Sequence, residues 1–98
     1  MKISAQTVSF LKQELERIFL TEDVSVYVEV QDDGEFLLIN VNPKTTLSDT
    51  QRNFILDKIR NLVTPIIPPR RKAYSWMATI SKDLRAKAEE VAYSEMLP

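Results

Sequence analysis

Neither histidine nor cysteine occurs among the 98 residues, so any chemistry must come from carboxylates, amines, guanidinium groups, hydroxyls and aromatic rings. Without imidazole or thiol there is no Ser-His-Asp or Cys-His nucleophile and no histidine proton shuttle. Zinc loses its nitrogen and sulfur ligands for the same reason. Magnesium and calcium accept oxygen alone, and the densest oxygen cluster is Asp32, Asp33 and Glu35. The EF-hand spacing is missing there, and Asp33-Gly34 is explained by turn chemistry. A metal-dependent phosphodiesterase built on Glu29 needs converging carboxylates and a lysine. Val30-Gln31 follow Glu29 instead, with no lysine nearby. No nucleotide, flavin or nicotinamide motif is present, and one glycine leaves no Gly-rich phosphate loop. The expectation is a protein that is not an enzyme and holds no cofactor or metal.

Binding is the remaining chemistry, and three stretches are built for it. Arg70-Arg71-Lys72, followed by Tyr74 and Trp76, offers cations for phosphate and rings for base stacking. Arg52, Lys58 and Arg60 extend that patch if their helix face lies nearby. The competing reading places Tyr74 and Trp76 in the core, because they alternate with Ser75 and run on into Ala78 and Ile80. Pro65-Ile66-Ile67-Pro68-Pro69-Arg70 satisfies PxxP followed by a cation, the pattern that SH3-type grooves accept, but a rigid connector explains the same prolines. The third stretch is a sheet face carrying Tyr27, Phe36 and Leu38 around Glu29 and Asn40. Contiguous exposed apolar area marks an interaction site.

The element that positions this face is a hairpin. Val24, Val26, Val28 and Val30 alternate with Ser25, Tyr27, Glu29 and Gln31, the period of a half-buried strand. Asp33-Gly34 suits a type I′ turn, which pairs Asp32 with Glu35. Val30 then faces Leu37, Val28 faces Ile39 and Val26 faces Val41, so turn and apolar pattern select one register.

Before the hairpin, Ser4 caps a helix from about Ala5 to Leu20, with Val8, Leu11, Leu15, Ile18 and Phe19 on its buried stripe and Phe10 off it. Ile3 and Val8 form a hydrophobic staple. After the hairpin, Asn42-Pro43 ends the strand, and Ser48-Asp49-Thr50-Gln51 fits a capping box. That box starts a second helix to about Val63, with Ile55, Ile59, Leu62 and Val63 inward and Phe54 beside them. Thr64-Pro65 stops it. A third strand is expected from about Ala73 to Ile80, and Ser81 caps a last helix from Lys82 to about Met96, with Leu84, Ala88, Val91, Ala92 and Met96 on one side.

The expected order is α-β-β-α-β-α in one α+β domain spanning residues 1–98. It is a two-layer sandwich, with a three-stranded antiparallel sheet in the order 2-1-3 and helices packed mainly on one face. The apolar share of 44% and charged share of 28% are those of a soluble globular chain. No apolar run reaches the ~18–20 residues of a membrane span, and Met1-Lys2-Ile3-Ser4 turns polar too soon for a secretory leader. A cytoplasmic protein without membrane contact is therefore expected. Charge is uneven: residues 1–43 hold three basic residues against eight carboxylates, and residues 44–87 hold ten against three.

Taken together, the sequence predicts a small regulatory module that binds another protein or a second copy of itself through Tyr27, Phe36 and Leu38 on the sheet face or through a sheet edge. The alternative is a nucleic-acid-binding module using Arg52, Lys58, Arg60, Arg70, Arg71 and Lys72.

Overall fold

Ser4 caps the first helix, its Oγ accepting the Thr7 amide at 3.1 Å. In a computed structural model that describes residues 2–82 and 88–98, this helix, α1, spans Ala5–Ile18. It ends two residues short of the expected Leu20, and the Phe19 amide closes it on the Leu15 carbonyl at 2.9 Å. Leu11, Leu15 and Phe19 are buried, while Ile3 and Val8 are each partly buried against the core. Each wholly buried leucine contributes about 1.5–3 kcal/mol.

The hairpin joins β1 (Val24–Gln31) to β2 (Phe36–Pro43), with Val30 opposite Leu37, Val28 opposite Ile39 and Val26 opposite Val41. Asp33 (φ 54°, ψ 33°) and Gly34 (φ 88°) are the two central residues of a type I′ turn, and Glu35 donates to the Asp32 carbonyl at 3.1 Å. Asp32 also has positive φ, at 55°. That third left-handed residue curls the tip out of the ladder, so the last ladder pair is Gln31–Phe36 rather than Asp32–Glu35. The Ile3 amide reaches across to the Gly34 carbonyl at 2.7 Å and straps the tip down.

The second helix, α2, spans Asp49–Val63 and starts with the capping box expected of its sequence. Gln51 N–H donates to Ser48 Oγ at 3.1 Å, and Ser48 N–H donates to Gln51 Oε1 at 2.8 Å. Its buried residues are Ile55, Leu56, Ile59 and Val63, with Leu62 at the margin.

The sheet itself departs from the expected one. It has four strands in the order β1-β2-β3-β4, with β3 at Trp76–Ile80 and β4 at Glu90–Tyr93. The pair β2/β3 is parallel and the other two are antiparallel, so the three-stranded antiparallel 2-1-3 sheet is incorrect. β3 docks beside β2 because β2 is the more apolar strand: flanked on both sides, its Leu37, Ile39 and Val41 are sealed completely. Placed beside β1, β3 would have left those residues at an edge.

Over residues 88–96 the expected last helix is likewise replaced, by β4. Leu84 of its stripe lies outside the described residues. Ala92 and Ser94 are buried while Val91 and Tyr93 are exposed, an alternation of period two, and Met96, beyond the strand, is exposed. Four ladder pairs to β3 and the contact of Tyr93 with Tyr74, with centroids 4.5 Å apart, outweigh the local helical pattern. Both described helices pack on the face that carries Leu37, Ile39, Val41, Trp76, Ala78 and Ile80, forming one hydrophobic cluster.

Candidate interaction surface

The expected basic patch is dispersed and largely neutralised. Arg70 Nη1 donates to Asp32 Oδ2 at 2.6 Å and lies 3.4 Å from Glu35 Oε2. One candidate cation thus meets two members of the candidate acidic cluster, and each answers the other. Arg52 pairs with Glu89 at 2.8 Å, and Arg60 approaches Asp57 at 3.7 Å. The Lys58 ammonium sits 5.5 Å from the centre of the Phe54 ring. Arg71 and Lys72 are exposed at a loop that the chain terminus braces: Leu97 donates to the Arg70 carbonyl, and Lys72 donates to that of Leu97.

Trp76 is 1% exposed, so it belongs to the core rather than to a stacking platform. Tyr74 precedes β3 and lies against Tyr93. In the proline segment, Ile67 is buried and its amide bonds to Val63 at 2.8 Å, which makes this stretch a plugged turn rather than a free polyproline ligand. Among the described residues, no group of three or more carboxylates is arranged to hold a metal.

The sheet face away from the helices is a different case. Odd residues of β1 and β3 and even residues of β2 point there, and the register sets them in rows. One row runs Glu29, Leu38, Met77, Tyr93; the next runs Tyr27, Asn40, Thr79, Val91. Tyr27 is 40% exposed, Val91 43% and Tyr93 49%, with Phe36, Leu38 and Met77 half-buried. The expected contacts Tyr27, Phe36 and Leu38 therefore share one face, and Met77, Val91 and Tyr93 extend it across the sheet. The sequence pattern already sets Met77 on the face opposite Trp76, Ala78 and Ile80, as found, without naming it as a contact; Val91 and Tyr93 are missed because that stretch reads as a helix. The period-two run Val91-Ala92-Tyr93 was the available signal.

At the centre of this face Asn40 is 3% exposed, and its Nδ2 donates to Thr79 Oγ1 and Ser81 Oγ, both at 2.8 Å. The Asn40 amide nitrogen is thereby bonded within the sheet, and Tyr27, Leu38, Met77, Val91 and Tyr93 surround it. The Glu29 carboxylate, two residues along the strand, raises the Tyr27 phenol above its usual pKa, mainly by its charge and further by desolvation and a hydrogen bond. The phenol therefore stays neutral and able to donate.

At the far edge, a cleft of about 760 Å³ lies between the end of α2 and β4, lined by Arg60, Thr64, Ile67, Trp76, Val91 and Tyr93 among others. The Trp76 indole N–H is buried and has no hydrogen-bond partner among the described residues. Comparison with family models, curated proteins and solved structures finds no match to the chain. Among the described residues, no helix is long and apolar enough to cross a membrane.

Proposed function

We propose that this chain is a non-enzymatic binding module of the cytoplasm that regulates or assembles with another protein through its open sheet face. The observation that carries this reading is the set of apolar and aromatic side chains on the sheet face away from the described helices, with Tyr27, Leu38 and Tyr93 as its contacts. Tyrosines supply area with few rotamers to freeze and keep a polar tip for rim hydrogen bonds. Both described helices pack on the opposite side and leave this surface uncovered by helix among the described residues.

The test is capture of a partner by the native chain and by a Leu38→Asp, Tyr93→Ala variant, at low and high salt and with nuclease present. A partner held at high salt by the native chain and lost by the folded variant supports the reading, because apolar contacts persist as ionic strength rises. Recovery of nucleic acid that is lost at high salt and abolished by Arg71→Glu with Lys72→Glu would replace it with the nucleic-acid reading.

A further inference from the structure

The outer edge of β1 is the longest unpaired strand edge among the described residues, spanning eight residues. Two hydrogen bonds show which backbone groups it displays. Lys44 N–H donates to the Asp23 carbonyl at 3.0 Å, one pair beyond the ladder, so odd residues of β1 turn their backbone toward β2. On the other side of β2, Leu37 N–H donates to the Ser75 carbonyl at 3.0 Å, which leaves even residues of β2 facing β1 and agrees. By alternation, the N–H and C=O groups of Val24, Val26, Val28 and Val30 point outward. The side chains of these four valines are only half-buried, whereas their neighbours Leu37, Ile39 and Val41 on β2 are sealed. The strand has none of the lysines, prolines or bulges that usually block edge pairing.

We infer that the β1 edge pairs antiparallel with β1 of a second copy of this chain, making one continuous sheet across a twofold axis at Val28. The inference rests on the reading of the chain as a binding module but uses the β1 edge; of the open-face contacts only Tyr27 borders that edge, so Leu38 and Tyr93 remain free for a partner. The occupant follows from self-complementarity. With Val28 opposite Val28 of the second copy, Val26 opposes Val30 and the outward backbone groups meet in about six hydrogen bonds. In the same register Tyr27 lies directly opposite Glu29 of the second copy, twice over, a phenol donor against a carboxylate. Sliding by two residues one way places Glu29 against Glu29, which like charges resist; sliding the other way loses both tyrosine–glutamate pairs. A single strand edge buries less than the ~1,200 Å² of a standard interface, so the dimer is weak and concentration-dependent.

The test is the solution mass of the full chain by light scattering and sedimentation from about 1 to about 500 µM, the range over which contacts of this size dissociate. The expected result is a rise from 11.3 kDa toward twice that mass. Val28→Pro removes an N–H that points away from β2, a position at which an edge strand tolerates proline, and abolishes the rise while far-UV dichroism stays native. Tyr27→Glu sets carboxylates opposite one another and weakens dimerisation at least tenfold, whereas Tyr27→Lys faces Glu29 and retains it. A chain that stays monomeric throughout overturns the inference, as does a dimer that a folded Val28→Pro variant preserves. If Val28→Pro does not fold, the Tyr27 pair decides: equal loss in both variants overturns the register. A monomer that still captures a partner through Leu38 and Tyr93 removes this inference alone, and failure of capture by an intact dimer removes the proposed function alone.

Discussion

The two halves of the sheet are held by different means. β1 and β2 are joined by a four-residue tip, their register is fixed by Asp33-Gly34, and their facing residues are valines, leucine and isoleucine in simple cross-strand pairs. β3 and β4 meet around a tryptophan and a set of buried hydroxyls. Ser94 Oγ accepts from the Ser75 amide at 2.8 Å, the Trp76 amide at 3.3 Å and the Ser75 hydroxyl at 3.1 Å. One half is specified by a short stretch of chain and spreads its stabilisation over many small contacts. The other depends on residues distant in sequence and concentrates it in a few groups, so single substitutions should injure it more.

The sharpest form of that contrast compares Trp76→Ala with Val28→Ala, both on the core face. Trp76 is the largest fully buried side chain, and removing it should cost about 3–5 kcal/mol. Val28 is half-buried at an edge where the surroundings can relax, and its truncation should cost only about 1 kcal/mol. Urea unfolding at a protein concentration too low for association measures both. Equal losses would mean that the hairpin is as concentrated in its stabilisation as the rest.

Next in size is Ser94→Ala. Its Oγ is the acceptor for two backbone amides, and with the hydroxyl gone both buried N–H groups lose that acceptor. Leaving a buried donor unpaired costs about 1–3 kcal/mol, a large change for the loss of one oxygen atom. Hydrogen exchange should localise the opening to β3 and β4, with the β1/β2 ladder still protected. If all four strands lose protection together, the sheet is one cooperative unit and the division into halves fails.

The same division explains what could be read in advance. The hairpin register, the type I′ turn, the Ser4 cap and the Ser48–Gln51 box are local codes, each complete within a few residues, and each appears in the structure. The partner of β3 is a non-local choice, decided by which strand has most apolar surface left to cover. β4 was obscured because Ala88, Val91, Ala92 and Met96 fit a helical stripe as well as Val91-Ala92-Tyr93 fits a strand. Deciding between them takes the ladder to β3 and the Tyr74 ring, which lie 10 to 20 residues away. On the open face, Tyr27, Phe36 and Leu38 were legible because they sit on the legible hairpin, and Met77 because it alternates with Trp76 and Ala78; Val91 and Tyr93 were not. The opposed charges of Arg70 and Asp32 were visible individually, but nothing local says that they meet.

The smallest effect compares one tyrosine from each half, since their phenols are both raised above the usual value for different reasons. Tyr27 is raised first by the charge of Glu29, and Tyr74 first by desolvation, with the charge and hydrogen bond of Tyr93 following. Added salt screens an exposed charge within ~10 Å at 0.1 M but does little to desolvation. Ring resonances followed through an alkaline titration should therefore show the Tyr27 phenol moving down as salt is raised, with Tyr74 moving less. Glu29→Gln should lower Tyr27 and leave Tyr74 in place. The sign for stability follows: a phenol held neutral by the fold favours the folded state below its ordinary value, and that contribution is lost as pH rises through the raised one. Because Tyr27 and Tyr74 both retain contact with solvent, the loss is small. If salt moves both rings equally, charge governs Tyr74 as well, and the β3/β4 half is wetter at Tyr74 and Tyr93 than its buried hydroxyls imply.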